Sequence, residues 1–390
     1  MENRNGKIRS PLERRMKIIE MTLRSEAPLR TSDLAAYFGI KQNLLSYDLN
    51  YLETLGLVER GYGWVAARRR NEPFGGTDFA SRQVREREKK QGIAIYIASR
   101  LRHAGDVVLD AGSTALAIAE QLVQKKATLD LTTNNLPLLL RVADAPGITC
   151  HVIGGDYSHQ QGATVGTDAA LAIEGKTFSA GVLAPRAITL VPSWLALAEG
   201  GPSGPTIRTA LSRLATDREL QAEDAVSMNI YMNVYSADTA QKPIKSVLMK
   251  NAKQLFIAAD HTKLFAVGEP FFTIIIPALA NLESASVSLS SSSWAFVTPV
   301  RSREAVRSRR IASQAGGGED IDVDAYVDVR EPGYTVLVTS TDEDDRIPAE
   351  LIRQLRILKG ERHFEEIAPV LRSMIVVADR KGNPVPFEIP

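Results

Sequence analysis

The sequence predicts an α/β protein with a small helical unit at its N-terminus, and three observations support this. Apolar runs of strand length alternate with helical segments between residues 91 and 300, which is typical of a largely parallel sheet. Polar turns follow several of these runs. Residues 8–72 instead show helical spacing followed by a short glycine-containing hairpin. A length of 390 residues suggests two or three domains.

The composition indicates a globular protein outside the membrane. Hydrophobic residues make up 44% and charged residues 24%, and no apolar run is long enough to span a bilayer. The polar first residues lack a signal-peptide core, so we expect a cytoplasmic protein with no membrane partner. Cys150 is the only cysteine, which excludes an intrachain disulfide and favours a small core residue. The five histidines show no metal-ligand spacing, so neither a metal nor a cofactor is expected.

The N-terminal segment reads as a helix-turn-helix followed by a wing. Four apolar residues from Leu12 to Leu23 form one helix face. A second helix is predicted to start at a Thr31 cap and to end at Gly39. A third buries leucines between Leu45 and Leu55, and residues 57–65 form a small hairpin. The second helix of such a motif can enter the major groove of double-stranded DNA.

The charge distribution is compatible with a DNA partner. Residues 1–90 contain 18 Lys and Arg against 12 Asp and Glu, and contacts to phosphates need cations. The arginines at 68–70 could reach phosphates. The side chains expected to contact DNA are those of Thr31, Lys41, Gln42, Asn43, Ser46, Tyr47, Asn50 and Arg60.

The stretch TSDLAAYFGIKQNLLSYDLNYLETLGLVER resembles the winged helix-turn-helix of DeoR-type transcriptional repressors. That family usually places a Thr and two basic residues before the Asp of its third helix. This chain has Leu44-Leu45-Ser46-Tyr47 before Asp48, whereas the following Leu49, Leu52 and Glu53 fit the pattern. Either the operator is unusual, or DNA binding is weakened, or the unit makes only protein contacts.

A candidate anion site follows the apolar run Val107-Val108-Leu109. Asp110, Gly112, Ser113 and Thr114 lie between this run and an Ala-rich helical segment. A helix N-terminus offers unpaired N–H groups and a positive dipole end, which favour an anion. The alternative is that Ser113 or Thr114 simply caps the helix.

Four motifs in order resemble the effector domain of the DeoR family: Asp110-Ala111-Gly112-Ser113-Thr114, Thr133-Asn134, Gly154-Gly155 and Asp260-His261-Thr262-Lys263. The resemblance implies a fold similar to ribose-phosphate isomerases and CoA transferases, and a phosphorylated sugar or related metabolite that is bound without turnover. The expected effector-binding residues are Asp110, Gly112, Ser113, Thr114, Asn134, Gly154, Gly155, Asp260 and Lys263. An enzyme acting on a sugar phosphate remains an alternative, with Asp110 or Asp260 as base.

The remaining segments are assigned by composition. Residues 73–90 are predicted to be a linker, with a solvated charged helix face from Arg82 to Lys90. An inserted helical element is expected at about residues 190–244 of the effector domain 91–300. Residues 301–390 are expected to form a small α+β extension of unknown role, with a solvated acidic turn at Thr341–Asp345. A homo-oligomeric repressor controlled by its effector is the function predicted for the whole chain.

Overall fold

A computed structural model describes residues 11–25, 27–54, 58–67, 79–191, 229–236, 239–264, 272–277, 326–329, 335–359 and 364–389. Several of the predicted features lie outside these residues. They are the arginines at 68–70 and most of the inserted element expected at about residues 190–244. Within the described part of the chain, none of the helices is long and apolar enough to cross a membrane.

Three helices and a three-stranded antiparallel sheet form the N-terminal unit. The helices are α1 (Pro11–Arg24), α2 (Thr31–Phe38) and α3 (Gln42–Thr54). Strands β1 (Leu29–Arg30), β2 (Val58–Gly61) and β3 (Trp64–Ala67) pair in the order β1-β3-β2. Their shared core includes Ile18, Leu34, Leu45, Leu49 and Leu52, all at most 2% exposed.

The boundaries of α2 correct one expectation. Thr31 does not cap this helix; it is the first helical residue, and the preceding Arg30 makes no side-chain cap hydrogen bond. The N–H of Thr31 donates instead to the carbonyl of Gly63 at 3.0 Å, which ties the helix start to the hairpin. Gly39 does end α2, with a φ of 63° that glycine adopts without strain.

The centre of the protein is a seven-stranded parallel sheet, which confirms the predicted mixed α/β class. Its order is β16-β15-β12-β9-β4-β5-β6, and every neighbouring pair is parallel. The strands are β4 (Gly105–Leu109), β5 (Leu129–Thr133), β6 (Ile148–Val152), β9 (Phe178–Leu183), β12 (Ala252–Ala258), β15 (Thr335–Ser340) and β16 (Ile375–Ala378).

A second, four-stranded sheet and a short hairpin complete the strands. The order β10-β11-β13-β14 joins β10 (Ala187–Val191), β11 (Asn229–Tyr235), β13 (Phe272–Pro277) and β14 (Tyr326–Val329). The hairpin pairs β7 (Asp156–Ser158) with β8 (Ala163–Val165).

Helices cover both faces of the central sheet. They are α4 (Phe79–Val84), α5 (Arg87–Leu101), α6 (Ser113–Gln124), α7 (Leu136–Val142), α8 (Thr167–Leu171), α9 (Lys242–Asn251), α10 (Ala349–Leu358) and α11 (Phe364–Met374). Val107 and Leu109 of β4 pack in a cluster with α5, α6 and α7 residues, whereas Val108 packs in a cluster with α8 and α9 residues. The side chains of Val107, Val108 and Leu109 are all fully buried. A strand buried on both faces needs apolar residues at consecutive positions, which explains the continuous apolar run.

The C-terminal segment is not the separate small unit that its composition suggested. Strand β15 pairs with β12, and β16 pairs with β15, so both extend the central sheet. Leu337, Val338, Val377 and Ala378 are fully buried there. The composition indicates strands and helices in this segment, but a strand pattern does not specify its pairing partner.

The segment predicted to be a solvated linker is helical and anchored. Helices α4 and α5 cover residues 79–84 and 87–101, and Lys89 is only 5% exposed. The Lys89 ammonium lies 3.0 Å from the Asp345 carboxylate and 3.3 Å from the Thr341 hydroxyl. The acidic turn is therefore a docking point for α5 and is only partly solvated. Burying the charge is acceptable because it is paired.

The inserted segment is partly described. Strand β11 lies inside the predicted insertion and pairs antiparallel with both β10 and β13. The predicted helical part, at residues 192–228, lies outside the described residues.

Candidate functional site: a cationic cavity at the sheet edge

The cavity opens at the point where the connection order of the central sheet reverses. From β4 the chain runs to β5 and β6 on one side, whereas β9, β12, β15 and β16 lie on the other. Ligands of open α/β sheets bind at such a point, beyond the carboxyl ends of the strands. The cavity has a volume of about 680 Å³ including its open mouth. Its lining consists of Arg82, Arg85, Glu86, Lys90, Ala111, Gly112, Ser113, Thr114, Ala184, Pro185, Arg186, Ser236, Gln241, Asp260, Thr262 and Lys263.

The turn after β4 places a helix N-terminus on the cavity wall. Gly112 has a φ of 145°, a conformation that side-chain-bearing residues rarely adopt. The side-chain amide of Asn135 donates to the Gly112 carbonyl at 3.0 Å and fixes the turn. Helix α6 then starts at Ser113, so its first N–H groups lack intrahelical partners.

The hydroxyl of Thr114 has no hydrogen-bond partner among the described residues, although Thr114 is only 1% exposed. The helix start also has no side-chain cap, because Gly112 occupies the cap position. The alternative in which Ser113 or Thr114 caps the helix is therefore wrong. A buried, unpaired hydroxyl at an uncapped helix N-terminus is an arrangement that an anion would complete.

The segment after β12 places an acidic residue, Asp260, and a basic residue, Lys263, in the same cavity. Asp260 is 1% exposed and accepts from the Thr262 N–H at 3.2 Å and from the Thr262 hydroxyl at 2.5 Å. Although burial acts to raise the pKa of Asp260, the Lys263 ammonium, 3.7 Å away, and the Thr262 hydroxyl hold it below its ordinary value. Asp260 is therefore an acceptor that stays ionised. Burial lowers the pKa of Lys263, against the opposing effect of Asp260.

Four further cations line the cavity, and the sequence reasoning missed all of them: Arg82, Arg85, Lys90 and Arg186. Burial lowers the pKa of Lys90 to about 8, and the charge of Lys263 contributes. The Lys90 ammonium donates to the carbonyls of Arg82 and Arg85 and so connects α5 to the end of α4. The strand-end rule could have found Arg186, which follows β9 by three residues. The sequence shows the basic run 82–90, but it does not show which of its side chains face the cavity.

Asp110 does not line the cavity. It is fully buried, forms an ion pair with Lys245, and accepts from the N–H groups of Ala111 at 2.7 Å and Ala184 at 3.1 Å. Burial lowers the pKa of Lys245, while the Asp110 charge opposes this effect. The expected effector contact is therefore wrong for Asp110, which instead holds the ends of β4 and β9 together.

Asn134 and Gly155 also have structural roles. The Asn134 side-chain amide donates to the Thr164 carbonyl at 2.8 Å, in the β7–β8 hairpin. A Cβ on Gly155 would lie 2.9 Å from the Val165 carbonyl oxygen, so this glycine permits a close backbone approach. Gly154 has open space around it. None of the three lines the cavity, because the β5 and β6 turns lie beside the hairpin.

The predicted DNA-contacting residues lie on one side of the N-terminal unit. Lys41 is exposed just before α3, and Gln42, Asn43, Ser46, Tyr47 and Asn50 are exposed within it. A groove between α3 and the β2–β3 hairpin includes Thr31, Gln42, Ser46, Arg60 and Tyr62. Tyr47 is 71% exposed, and Tyr62 is fully exposed at the hairpin tip.

Several basic groups of this unit are held by acids within it. Asp48, 1% exposed, accepts from Arg14 at 2.6 Å and from Arg15 at 2.9 Å, which joins α1 to α3. Arg60 lies 2.7 Å from Glu53. The residues exposed on α3 between Gln42 and Asn50 are themselves uncharged, and most of them are polar or aromatic.

Among the described residues, no cluster of His, Cys, Asp and Glu could hold a metal ion. Cys150 is partly buried beside the core, and burial raises the pKa of its thiol.

Comparison with known proteins gives a match over residues 85–193, to the family model described as the DeoR C terminal sensor domain. The HTH-type transcriptional regulator GolR of Listeria innocua is 30% identical over 145 residues, which is 37% of this chain and 56% of that protein. The transcriptional repressor AccR of Agrobacterium fabrum is 30% identical over 38% of this chain and 56% of its own length. The HTH-type transcriptional regulator IolR of Bacillus subtilis is 27% identical over 40% and 60%.

The chain thus spans a little over half the length of the curated relatives it matches. A ribose 5-phosphate isomerase A from Methanocaldococcus jannaschii superposes with 9% identity and a TM-score of 0.25, covering 45% of this chain and 53% of that chain.

Proposed function

We infer that this protein, whose residues 85–193 belong to the DeoR sensor-domain family, is a transcriptional repressor that binds operator DNA and responds to a phosphorylated sugar. The N-terminal unit is proposed to be a winged helix-turn-helix, with α3 as the recognition helix and the β2–β3 hairpin as the wing. The relatives named above as transcriptional regulators support this direction.

The observation that carries the effector proposal is the unpaired Thr114 hydroxyl at the uncapped start of α6. A phosphate there would accept from the backbone N–H groups of the helix start and from Thr114, and Lys263 would add a charge-assisted contact. The ionised Asp260 would accept hydrogen bonds from sugar hydroxyls. Such a site favours tight binding of a phosphorylated polyol.

The DNA proposal is supported by the geometry of α3. Its exposed Gln42 and Asn43 can pair with adenine edges, and the Tyr47 ring can contact thymine methyl groups. Phosphate contacts would come from Lys41 and from arginines that flank the unit. A palindromic operator bound by a symmetric oligomer is the expected arrangement.

Coupling between the two sites is proposed to pass through α4. This helix follows the N-terminal unit in the chain, and its Arg82 and the adjoining Arg85 line the cavity. An effector that binds one position of α4 better than another shifts the population between DNA-competent and incompetent forms.

The test selects fragments from the genomic DNA of the source organism and measures their binding by fluorescence anisotropy across a salt series. Each titration is repeated with and without a mixture of sugar phosphates. Lys263→Ala should weaken the effector response about tenfold, the value of one charge-assisted contact, while DNA affinity stays within twofold. Lys253→Ala, on the exposed side of β12, is the matched control.

Equal loss of effector response and DNA affinity in Lys263→Ala would contradict the two-site model. Fragment binding no stronger than to random DNA would contradict operator recognition and would favour a unit that makes only protein contacts.

A further inference from the structure

The described cavity lining contains three more cations than carboxylates. Its cationic side chains are Arg82, Arg85, Lys90, Arg186 and Lys263, and its carboxylates are Glu86 and Asp260. A single phosphate monoester carries about −1.5 to −2 charges at neutral pH. One such group, placed at the start of α6, would offset at most two of these three positive charges.

The arginines repel each other across this cavity. Burial lowers the pKa of Arg186 to about 10, and the nearby charges of Arg82 and Arg85 contribute to the decrease. Arg82 and Arg186 also act to lower the pKa of Lys263. Like charges gathered in a partly buried cavity disfavour their own charged forms, and an anion placed among them removes this penalty.

The arginines approach from elements other than the phosphate turn. Arg82 lies on α4, Arg85 in the kink before α5, and Arg186 in the loop after β9. Glu86, at the same kink, has a φ of 51°, so the chain turns sharply there. A guanidinium presents a planar fork of N–H groups that matches a carboxylate or phosphate in bidentate fashion.

We propose that the effector carries two anionic groups: a phosphate at Gly112–Thr114 with Lys263, and a second phosphate or a carboxylate at Arg82, Arg85 and Arg186. This inference rests on the proposed function. It names the effector class as a sugar bisphosphate or a phosphorylated sugar acid. The second anionic group is the one that reaches Arg82 on α4, the helix through which the coupling is proposed to pass.

The test compares matched ligands that differ by one anionic group. Fructose 6-phosphate is paired with fructose 1,6-bisphosphate, and glycerol 3-phosphate is paired with 3-phosphoglycerate. Calorimetry on the full-length protein gives each affinity, and DNA release is measured in parallel. In at least one pair, the ligand with two anionic groups should bind at least tenfold more tightly and should release DNA more strongly. A preference in the first pair indicates a second phosphate, and a preference in the second indicates a carboxylate.

Variants separate the two subsites. Arg82→Gln combined with Arg186→Gln should bring each pair to within about twofold of equal affinity, because it weakens binding of the ligand with two anionic groups much more than binding of the monophosphate. The lysine versions of both changes retain charge without the fork and should give an intermediate preference, which keeps the test valid if the glutamine variant folds poorly. Arg102→Gln, an exposed arginine at the end of α5, should behave as the wild type.

The outcomes distinguish this inference from the function on which it rests. Equal affinity within both pairs, with DNA released by the monophosphates, would overturn the second anionic group and leave the sugar-phosphate repressor intact. A preference that persists in the glutamine double variant would also overturn it. No binding of any of the four ligands at millimolar concentration would overturn both proposals.

Discussion

Replacing Thr114 by valine is expected to stabilise the ligand-free protein and to weaken effector binding. Valine has nearly the shape of threonine but lacks the hydroxyl, which is buried here without a hydrogen-bond partner among the described residues. An unsatisfied buried polar group costs about 1–3 kcal/mol. Removing it should raise the free energy of unfolding by roughly 1 kcal/mol or more, and the melting temperature by about 2 °C.

The same change should cost the effector one hydrogen bond. Hydrogen bonds to charged groups contribute about 1.5–3 kcal/mol, which corresponds to roughly a tenfold to hundredfold loss of affinity. Thermal melting measures the first effect and calorimetric titration with the tightest sugar phosphate measures the second. The two effects have opposite signs, as expected where stability is given up for binding.

Thr164→Val is the matched control. Thr164 is also buried, but its hydroxyl donates to the Ile153 carbonyl at 2.6 Å. The same substitution there should lower the free energy of unfolding by about 1–3 kcal/mol. If Thr114→Val destabilised the protein as much as the control, or left effector affinity unchanged, the assignment of this hydroxyl to a ligand would be refuted.

Three further outcomes are expected. Effector affinity should fall by up to about tenfold per pH unit above roughly pH 8, because Lys90, with its pKa lowered to about 8, must keep its proton to hold an anion. Lys90→Arg should reduce this fall in calorimetric titrations, and an unchanged profile would exclude Lys90 from binding. Asp110→Asn should lower the free energy of unfolding in urea by about 3–5 kcal/mol, because the buried Lys245 ammonium loses its partner. The double variant with Lys245→Met should recover most of this loss, and an equally unstable double variant would contradict the pairing. Asp48→Asn should speed hydrogen exchange in residues 11–67, because it releases the two arginines that join α1 to α3. Effector affinity should not change. Unchanged exchange would show that these ion pairs do not stabilise the N-terminal unit.

Local sequence patterns predicted the elements of the central sheet well. Val107-Val108-Leu109 indicated a strand, and β4 is that strand, buried on both faces. The glycine and hydroxyl residues after it indicated a helix start at the sheet edge, where α6 begins. These predictions succeeded because periodicity and turn chemistry act over a few neighbouring residues.

Local sequence patterns do not distinguish the role of Asp110 from that of Asp260. Both follow apolar strands and both looked like ligand acceptors. The structure pairs Asp110 with Lys245, a residue 135 positions away, and turns Asp260 toward the cavity. Whether an acid binds a ligand or an internal partner depends on what the fold brings beside it, which no local pattern contains.

The burial of the charged run 82–90 could not be predicted from local sequence either. Its composition indicated a solvated face, yet Lys89 is docked on Asp345 and Lys90 is buried beside the cavity. A partner some 250 residues away compensates the desolvation of Lys89.

Contiguous residues were enough to predict the parallel α/β class, the resemblance that the sensor-domain model also matches over residues 85–193, and a helix start after the glycine turn at Gly112. The three-dimensional fold was needed to show that β15 and β16 complete the central sheet, that Arg82, Arg85 and Arg186 line one cavity, and that Asp110 is paired with Lys245. Strand pairing and charge clustering are long-range contacts, whose free energy depends on burial and on partners distant in the chain.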